Sequence, residues 1–301
     1  MTHITRLIEK NFSLLLLLGA LLGFFVPSFG EYADEIVIVL TALLIFLACA
    51  DIELKDFFEI DIFNVGLFSL LRFTIFPLAL FYVSYTFFPD YAMGVLLLSL
   101  MPAGVAVASL CSMSNAKVSL GLSITIISSL LMPLYVPGIF MFLGQYVEID
   151  IFNLLLVLIG VVILPLCLYF LLVNRVSWLS SVVKRYNKST SVLTLSLILV
   201  IVIAAQKEDI LSNFSSVVYG LIFMTALFAF YYAFGVIYSL FISKANRVPY
   251  IFGSGAMNNS LAVGLAFIYF DAKTSLFIIL SEIVWSFYVA GAQYYFSKQK
   301  S

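Results

Sequence analysis

Histidine is all but missing from this sequence: His3 is the only one among 301 residues. A Ser-His hydrolase, an H-E-x-x-H zinc site and any histidine-ligated metal centre each lose their central residue by that shortage. Cysteine is scarce too. Cys49, Cys111 and Cys167 each sit in an apolar stretch and form no C-x-x-C pair, so they read as small buried hydrophobes rather than disulfide or metal partners. Charge is the third shortage. Only 10% of residues are charged, 15 basic against 16 acidic, for a net charge of -1, and no basic face is left to hold nucleic acid. No D-x-x-x-D pair lies inside an apolar stretch to hold magnesium and a diphosphate. The composition argues against an enzyme.

What is present is apolar. Hydrophobic residues make up 63% of the chain, and the mean hydropathy is +1.15, far from the half-apolar, quarter-charged composition of a soluble domain. A bilayer-spanning helix needs about 20 apolar residues. Reading apolar runs between charged and Gly/Pro punctuation gives ten spans, near 12–29, 35–50, 64–87, 92–113, 117–143, 151–173, 189–206, 215–243, 249–270 and 274–297. The expectation is an all-α integral membrane protein, one unit over 1–301 with no separate soluble domain. The first run follows Arg6 and Lys10 but is long for a signal-peptide core and lacks an A-x-A-like cleavage site, so it reads as a retained helix.

Basic residues orient the spans. With the amino terminus inside, inner segments collect Arg6, Lys10, Lys55, Lys117, Arg175, Lys184, Arg185, Lys188, Lys244, Arg247, Lys298 and Lys300, while outer segments hold only Lys207 and Lys273. That bias places both termini in the cytoplasm of a plasma or inner membrane protein. A repeat accompanies it. Ala116-Lys117-Val118-Ser119-Leu120 returns as Ala272-Lys273-Thr274-Ser275-Leu276, and Phe12-Ser13-Leu14-Leu15-Leu16 is echoed by Phe152-Asn153-Leu154-Leu155-Leu156. Both matches suit a five-plus-five division, with repeat one over about 10–145 and repeat two over about 150–298. Five being odd, the second half enters the membrane in the opposite sense, an inverted repeat of the kind secondary transporters use.

Two spans carry interruptions. Span four has Pro102 at its centre, and span nine reads Gly253-Ser254-Gly255-Ala256-Met257-Asn258-Asn259-Ser260. Proline removes a backbone N–H and frees a carbonyl, glycines allow close backbone approach, and paired amides hydrogen-bond in either sense. Pro102 and Asn258 stand 156 residues apart, the same offset as the repeat. Irregular backbone survives at membrane depth only inside protein or beside a water-filled cavity, so Pro102, Asn258, Asn259 and Ser260 are expected to build a substrate site.

Two ionisable groups lie inside spans: Arg72 in span three and Glu282 in span ten. Such groups face a bundle interior or cavity. Either they pair, or Arg72 meets an anionic group of a ligand while Glu282 has a polar or proton-carrying role. Their positions differ in depth by about 9 Å at 1.5 Å per residue, which favours the second. Trp285, in the stretch Ser281-Glu282-Ile283-Val284-Trp285, joins the substrate-binding candidates.

The stretch Phe46-Leu47-Ala48-Cys49-Ala50-Asp51-Ile52-Glu53-Leu54-Lys55-Asp56-Phe57 resembles the second-helix pattern F-x-M-G-L-x-L-x-x-x-D-F of the bile acid:sodium symporter family. Pro102 through Asn115 and Lys117 to Thr125 is similar to that family's fourth and fifth helices, and Met257-Asn258-Asn259-Ser260 to its ninth-helix M-Q-N-S. The resemblance implies a panel domain (helices 1, 2, 6 and 7), a core domain (3, 4, 5, 8, 9 and 10), helices 4 and 9 broken and crossing, and transport of organic anions, usually with sodium. It also exposes departures. The family's fourth-helix Ser-Asn pair falls on Val107 and Ala108, its ninth-helix glutamate on Ser254, its glutamine on Asn258 and a fifth-helix serine on Gly121. The fifth-helix threonine is kept as Thr125, while the third-helix glutamine of Q-x-x-x-x-P falls on Arg72, five residues before Pro77. Thr125, Ser254, Met257 and Glu282 are therefore the ion-coupling candidates. Arg72 is expected to stand in for a bound cation.

The expected activity is a non-enzymatic secondary carrier, working by alternating access on a small or amphipathic organic anion in a lipid bilayer. It would have no cofactor, and coupling to a proton is open where sodium is disfavoured. Alternatives are an auxin-efflux-type or arsenite-type exporter of the same superfamily, the latter needing Cys111 at the break, or a non-transporting binding protein. An enzyme or a channel is the more distant reading.

Overall fold

A computed structural model describes residues 5, 8, 11–51, 62–104, 106–144, 149–171, 173–212 and 214–298. His3, Arg6, Lys10, the 52–57 end of the second-helix motif, Asp61, Glu148 and Lys300 lie outside the described residues. Among the described residues every extended element is helical, and the only bridge between extended backbones joins Ala103 to Met257.

Helices form where the apolar runs predict them, and their ends follow local chemistry. Helix α1 covers Phe12–Phe25 and stops short of the expected end at 29, because Val26 is pulled into extended conformation by the proline that follows. Helix α2 covers Ala33–Ala48 and α3 covers Ile62–Phe87. Inside α3, Leu71–Ile75 widens into a π turn carrying Arg72. Pro77 lacks an N–H for the preceding turn, and the wide turn accommodates that loss. Span four divides into α4 (Pro89–Ser99) and α5 (Ala106–Met113). Helix α6 runs over Val118–Phe142, entered through Asn115 in left-handed conformation, φ 51°, which a short polar side chain tolerates.

Helix α7 (Ile151–Leu171) starts at Asp150, whose Oδ1 accepts from the N–H groups of Phe152 and Asn153 at 3.0 and 3.1 Å. It repeats the π device at Ile159–Ile163, just before Pro165. Helix α8 (Ser177–Ser212) begins well before the apolar run at 189 and carries Lys184, Arg185 and Lys188 on continuous helix. Helix α9 (Phe214–Ser239) follows. Span nine divides into α10 (Arg247–Gly255) and α11 (Asn259–Tyr269), and α12 (Ala272–Lys298) closes the chain. Gly253, Ser254 and Gly255, expected to loosen span nine, stay helical, and the break falls on Ala256–Asn258. Among the described residues six helices, α3, α6 and α8 among them, are long and apolar enough to cross a membrane by length and composition, and shorter apolar helices accompany them.

Helices α1, α2, α7 and α8 pack on one another, while α3 to α6 and α9 to α12 gather around the two breaks. The first group is held by close backbone approach. Gly19-Ala20-Leu21-Leu22-Gly23 forms the small-xxx-small pattern that lets membrane helices touch. A Cβ on Gly19 would lie 2.7 Å from the Ser196 carbonyl, and one on Gly23 would lie 2.9 Å from the Val200 carbonyl. Gly23→Val is expected to cost roughly 1–3 kcal/mol through overpacking, read as a lower thermal midpoint in detergent. Gly66→Ala, with nothing within 4 Å of the new Cβ, is the control and should hold or raise the midpoint.

Candidate functional site

At its two breaks the chain crosses itself. The N–H of Gly104 donates to the Ala256 carbonyl at 2.8 Å and the N–H of Asn258 to the Pro102 carbonyl at 2.9 Å, which forms the Ala103–Met257 antiparallel bridge. Gly104 is required there, since a Cβ would come within 2.9 Å of the Met257 carbonyl oxygen. The backbone groups released by the breaks find partners locally. Ala103 N–H donates to Ser128 Oγ at 3.1 Å, Tyr135 OH donates to the Leu100 carbonyl at 2.8 Å, and Thr125 Oγ1 donates to the Gly104 carbonyl at 3.1 Å. Asn258 caps α11 by accepting from Leu261 N–H at 3.2 Å. Each pairing removes a penalty that an unsatisfied group incurs inside a membrane.

Arg72 does the largest share of this work. Its guanidinium is fully buried and donates to the carbonyls at the C-terminal ends of both interrupted helices. Nη1 donates to Ser99 O of α4 at 3.0 Å, while Nε and Nη2 donate to Ser254 O of α10 at 3.0 and 2.8 Å. Nε also reaches Ser254 Oγ at 3.0 Å and Nη2 reaches Met257 Sδ at 2.8 Å. The Tyr231 ring lies 4.6 Å from the guanidinium carbon, within cation–π range. Helix C-termini carry partial negative charge, so a delocalised cation with a planar fork of donors suits two converging carbonyl ends.

Arg72 was expected to face an anionic ligand group; in the structure its donors are directed at Ser99, Ser254 and Met257. Nor does it pair with Glu282, which forms no ion pair among the described residues.

The open space lies elsewhere. A cavity of about 530 Å³ is bounded by the crossing and by α2, α5, α8 and α12. Met257, Asn258, Asn259 and Ser260 line it from the crossing, and Glu282 and Trp285 line it from α12. Six of the ten expected residues are thus brought together. Arg72, Pro102, Thr125 and Ser254 do not line it and instead hold the crossing in place. Asn259 Nδ2 donates to the Ser281 carbonyl at 3.4 Å, and Ser260 stands beside the Glu282 carboxyl. Sequence reasoning missed the wall on α8: Asn187, Lys188 and Ser191, with Ser109 of α5 opposite. The signal was the four-residue spacing of Asn187, Ser191 and Leu195, one helical face.

The donor set does not fit sodium at the resemblance-implied position. Val107 is fully buried against Gly121, where a Cβ would lie 3.3 Å from Val107 Cγ1. Neither it nor Ala108 supplies a side-chain oxygen, and the Ser254 hydroxyl and carbonyl, at the position of the family's glutamate, already accept from Arg72. No group of three His, Cys, Asp or Glu gathers for a metal among the described residues.

Apolar helices of membrane length surround a cavity into which a few polar side chains project. The sequence model of the sodium bile acid symporter family matches residues 37–213, more than half of the chain, and the chain belongs to that family. No curated protein sequence matches it.

Proposed function

We propose that the chain is a secondary carrier of a small or amphipathic organic anion, working by alternating access without sodium. The carrying observation is the crossing at Ala103 and Met257 beside a cavity lined by Asn258, Asn259, Ser260 and Lys188 among apolar side chains. The breaks in spans four and nine support the reading of ten transmembrane helices as a 5+5 inverted repeat, one unit over 1–301. The packing of α1, α2, α7 and α8 as one group supports a panel domain against which a core domain rocks. The chain is an integral plasma or inner membrane protein with both termini cytoplasmic. In that orientation, the walls of the cavity on α2, α5 and α8 belong to the cytoplasmic halves of those helices, so the carrier stands inward-open.

In this reading Lys188 attracts the anion, Asn258, Asn259 and Ser260 orient it, and Trp285 with Leu44 and Ala48 covers its apolar part. Arg72 is the tethered replacement for a bound cation. An arsenite exporter would need a thiol at the site, and Cys111 is instead buried on α5 beside Gly121. A binding protein without flux is the remaining alternative.

The test is uptake of cholate and smaller carboxylates into proteoliposomes, with sodium and with potassium outside. Equal anion uptake in both salts is expected, and uptake that needs a sodium gradient overturns the sodium-free reading. Ligand binding without uptake favours the non-transporting alternative. Lys188→Gln is expected to weaken anion binding roughly tenfold, about 1.4 kcal/mol, in a thermal-shift titration, and an unchanged affinity removes Lys188 from the site.

A further inference from the structure

Glu282 has an arrangement the carrier reading alone does not explain. It is 5% exposed, in the middle of α12, and it lines the cavity. Ser260 stands beside its carboxyl, while Oε1 is buried with no partner among the described groups. Arg72 is committed to the helix ends, and Lys188 lines the same cavity from α8 without forming an ion pair with it. An ionised carboxylate held at membrane depth without a partner cation costs several kcal/mol. A neutral carboxyl carries no such cost.

Other titratable groups on the elements packed against α12 include Lys184 and Arg185, just before Lys188 on α8, with Arg185 over the Tyr186 ring. Arg247 of α10 donates to the Ile242 carbonyl at 3.3 Å. Helix α9 carries Tyr219 and Tyr238, the latter donating to the Asn64 carbonyl at 2.9 Å. None of these lines the cavity. On α9, Tyr231 faces Arg72 and Tyr232 stacks on Tyr288. On α10, Tyr250 packs against Phe68. Asp90 of α4 pairs with Lys273 at 2.8 Å at the far end of α12, with Tyr91 beside them. Tyr269 ends α11, Cys111 of α5 faces Gly121, and Lys207 and Glu208 lie at the opposite end of α8 from Lys188.

We propose that Glu282 is the proton-binding residue of this carrier, and that it takes up one proton together with the anion. The proposal rests on the carrier reading above and names its coupling ion. An anion between Lys188 and the two asparagines stands beside Glu282. When Glu282 is ionised the two negative charges repel across a poorly screened space, and when it is protonated its O–H becomes a donor. Proton and anion therefore raise each other's affinity by the same factor, as linkage requires. The proton enters from water in the open cavity onto the carboxylate and leaves to water on the opposite side once the carrier has turned over. Net, one proton crosses with one anion, and no covalent bond to the substrate forms or breaks.

The chain supplies its own reporter. It has two tryptophans; Trp178 is exposed, and Trp285 lies less than one turn from Glu282. In full-length Trp178→Phe protein in liposomes, Trp285 fluorescence is expected to titrate in one single-proton step. Glu282→Gln should abolish that step and hold fluorescence at its low-pH level, while Glu282→Asp, which keeps a carboxyl, should retain a displaced step. Added cholate should move the midpoint to higher pH, because the bound anion favours the protonated form. A flat titration in the parent, or a step that survives Glu282→Gln, overturns the proposal. A midpoint unmoved while cholate is bound overturns the coupling. Failure of cholate and smaller carboxylates to bind, with the Glu282 step intact, overturns the anion-carrier reading instead.

Discussion

Arg72→Ala is expected to lower stability by roughly 3–5 kcal/mol, from buried carbonyls left without donors and the space left behind. The loss has separable parts. Ser99 O and Ser254 O lose their donors, at about 1–3 kcal/mol for each buried group left unsatisfied, and the space left by a fully buried side chain adds a cavity contribution. Thermal unfolding in detergent, with folded yield by gel filtration, checks it. Arg72→Lys keeps the charge but not the planar fork, and a point ammonium cannot span α4 and α10 as the guanidinium does, so it should recover only part of the loss. Anion binding by Arg72→Lys protein that remains folded should stay near the parent's, since the guanidinium does not line the cavity. An Arg72→Ala protein that melts with the parent removes Arg72 from its structural place.

Gly104→Val should abolish transport while leaving most of the helices folded. The new Cβ would meet backbone: Met257 O at 2.9 Å, Met257 C at 3.2 Å and Ala256 O at 3.3 Å. No rotamer relieves a contact with main chain, so the strands of the crossing must separate. The Gly104–Ala256 and Asn258–Pro102 hydrogen bonds are strained or lost together, a penalty of roughly 2–4 kcal/mol from overpacking and unmade bonds. Because Gly104 also lines the cavity, the cost falls on the site rather than on distant packing. Flux at the parent's rate from a properly inserted Gly104→Val protein would show that the bridge is dispensable.

Both breaks were legible in the sequence because their causes are local: Pro102 cannot continue a helix, and Asn258 is a ready helix cap. The direction of Arg72 was not. A residue at membrane depth is readable as buried and partnered, but whether it meets a ligand or a carbonyl depends on which helix ends converge beside it. The π turn at Leu71–Ile75 further shifts the angular position of everything around it, so helical spacing alone mislocates that side chain. Lys188 was passed over as a site residue for a different reason. It falls in a basic run that counts toward orientation, and only the continuation of α8 back to Ser177 turns it onto the same face as Val192 and Leu195. The widths of the glycine contacts, such as Gly19 against Ser196, are tertiary facts that no single segment encodes.

Away from the cavity, α11 lies against α2 where Gly264 faces Thr41, so closely that a Cβ on Gly264 would sit 2.7 Å from Thr41 Oγ1. That hydroxyl is occupied within its own helix, donating to the Val37 carbonyl at 2.7 Å. In the proposed alternating access, the meeting of the two helices there would serve as a smooth bearing: bare backbone faces a methyl and a satisfied oxygen, with no bond to break and re-form as one helix passes the other. On the same proposal, a larger residue at Gly264 would act as a wedge between α2 and α11, offering a way to trap one posture of the carrier for study.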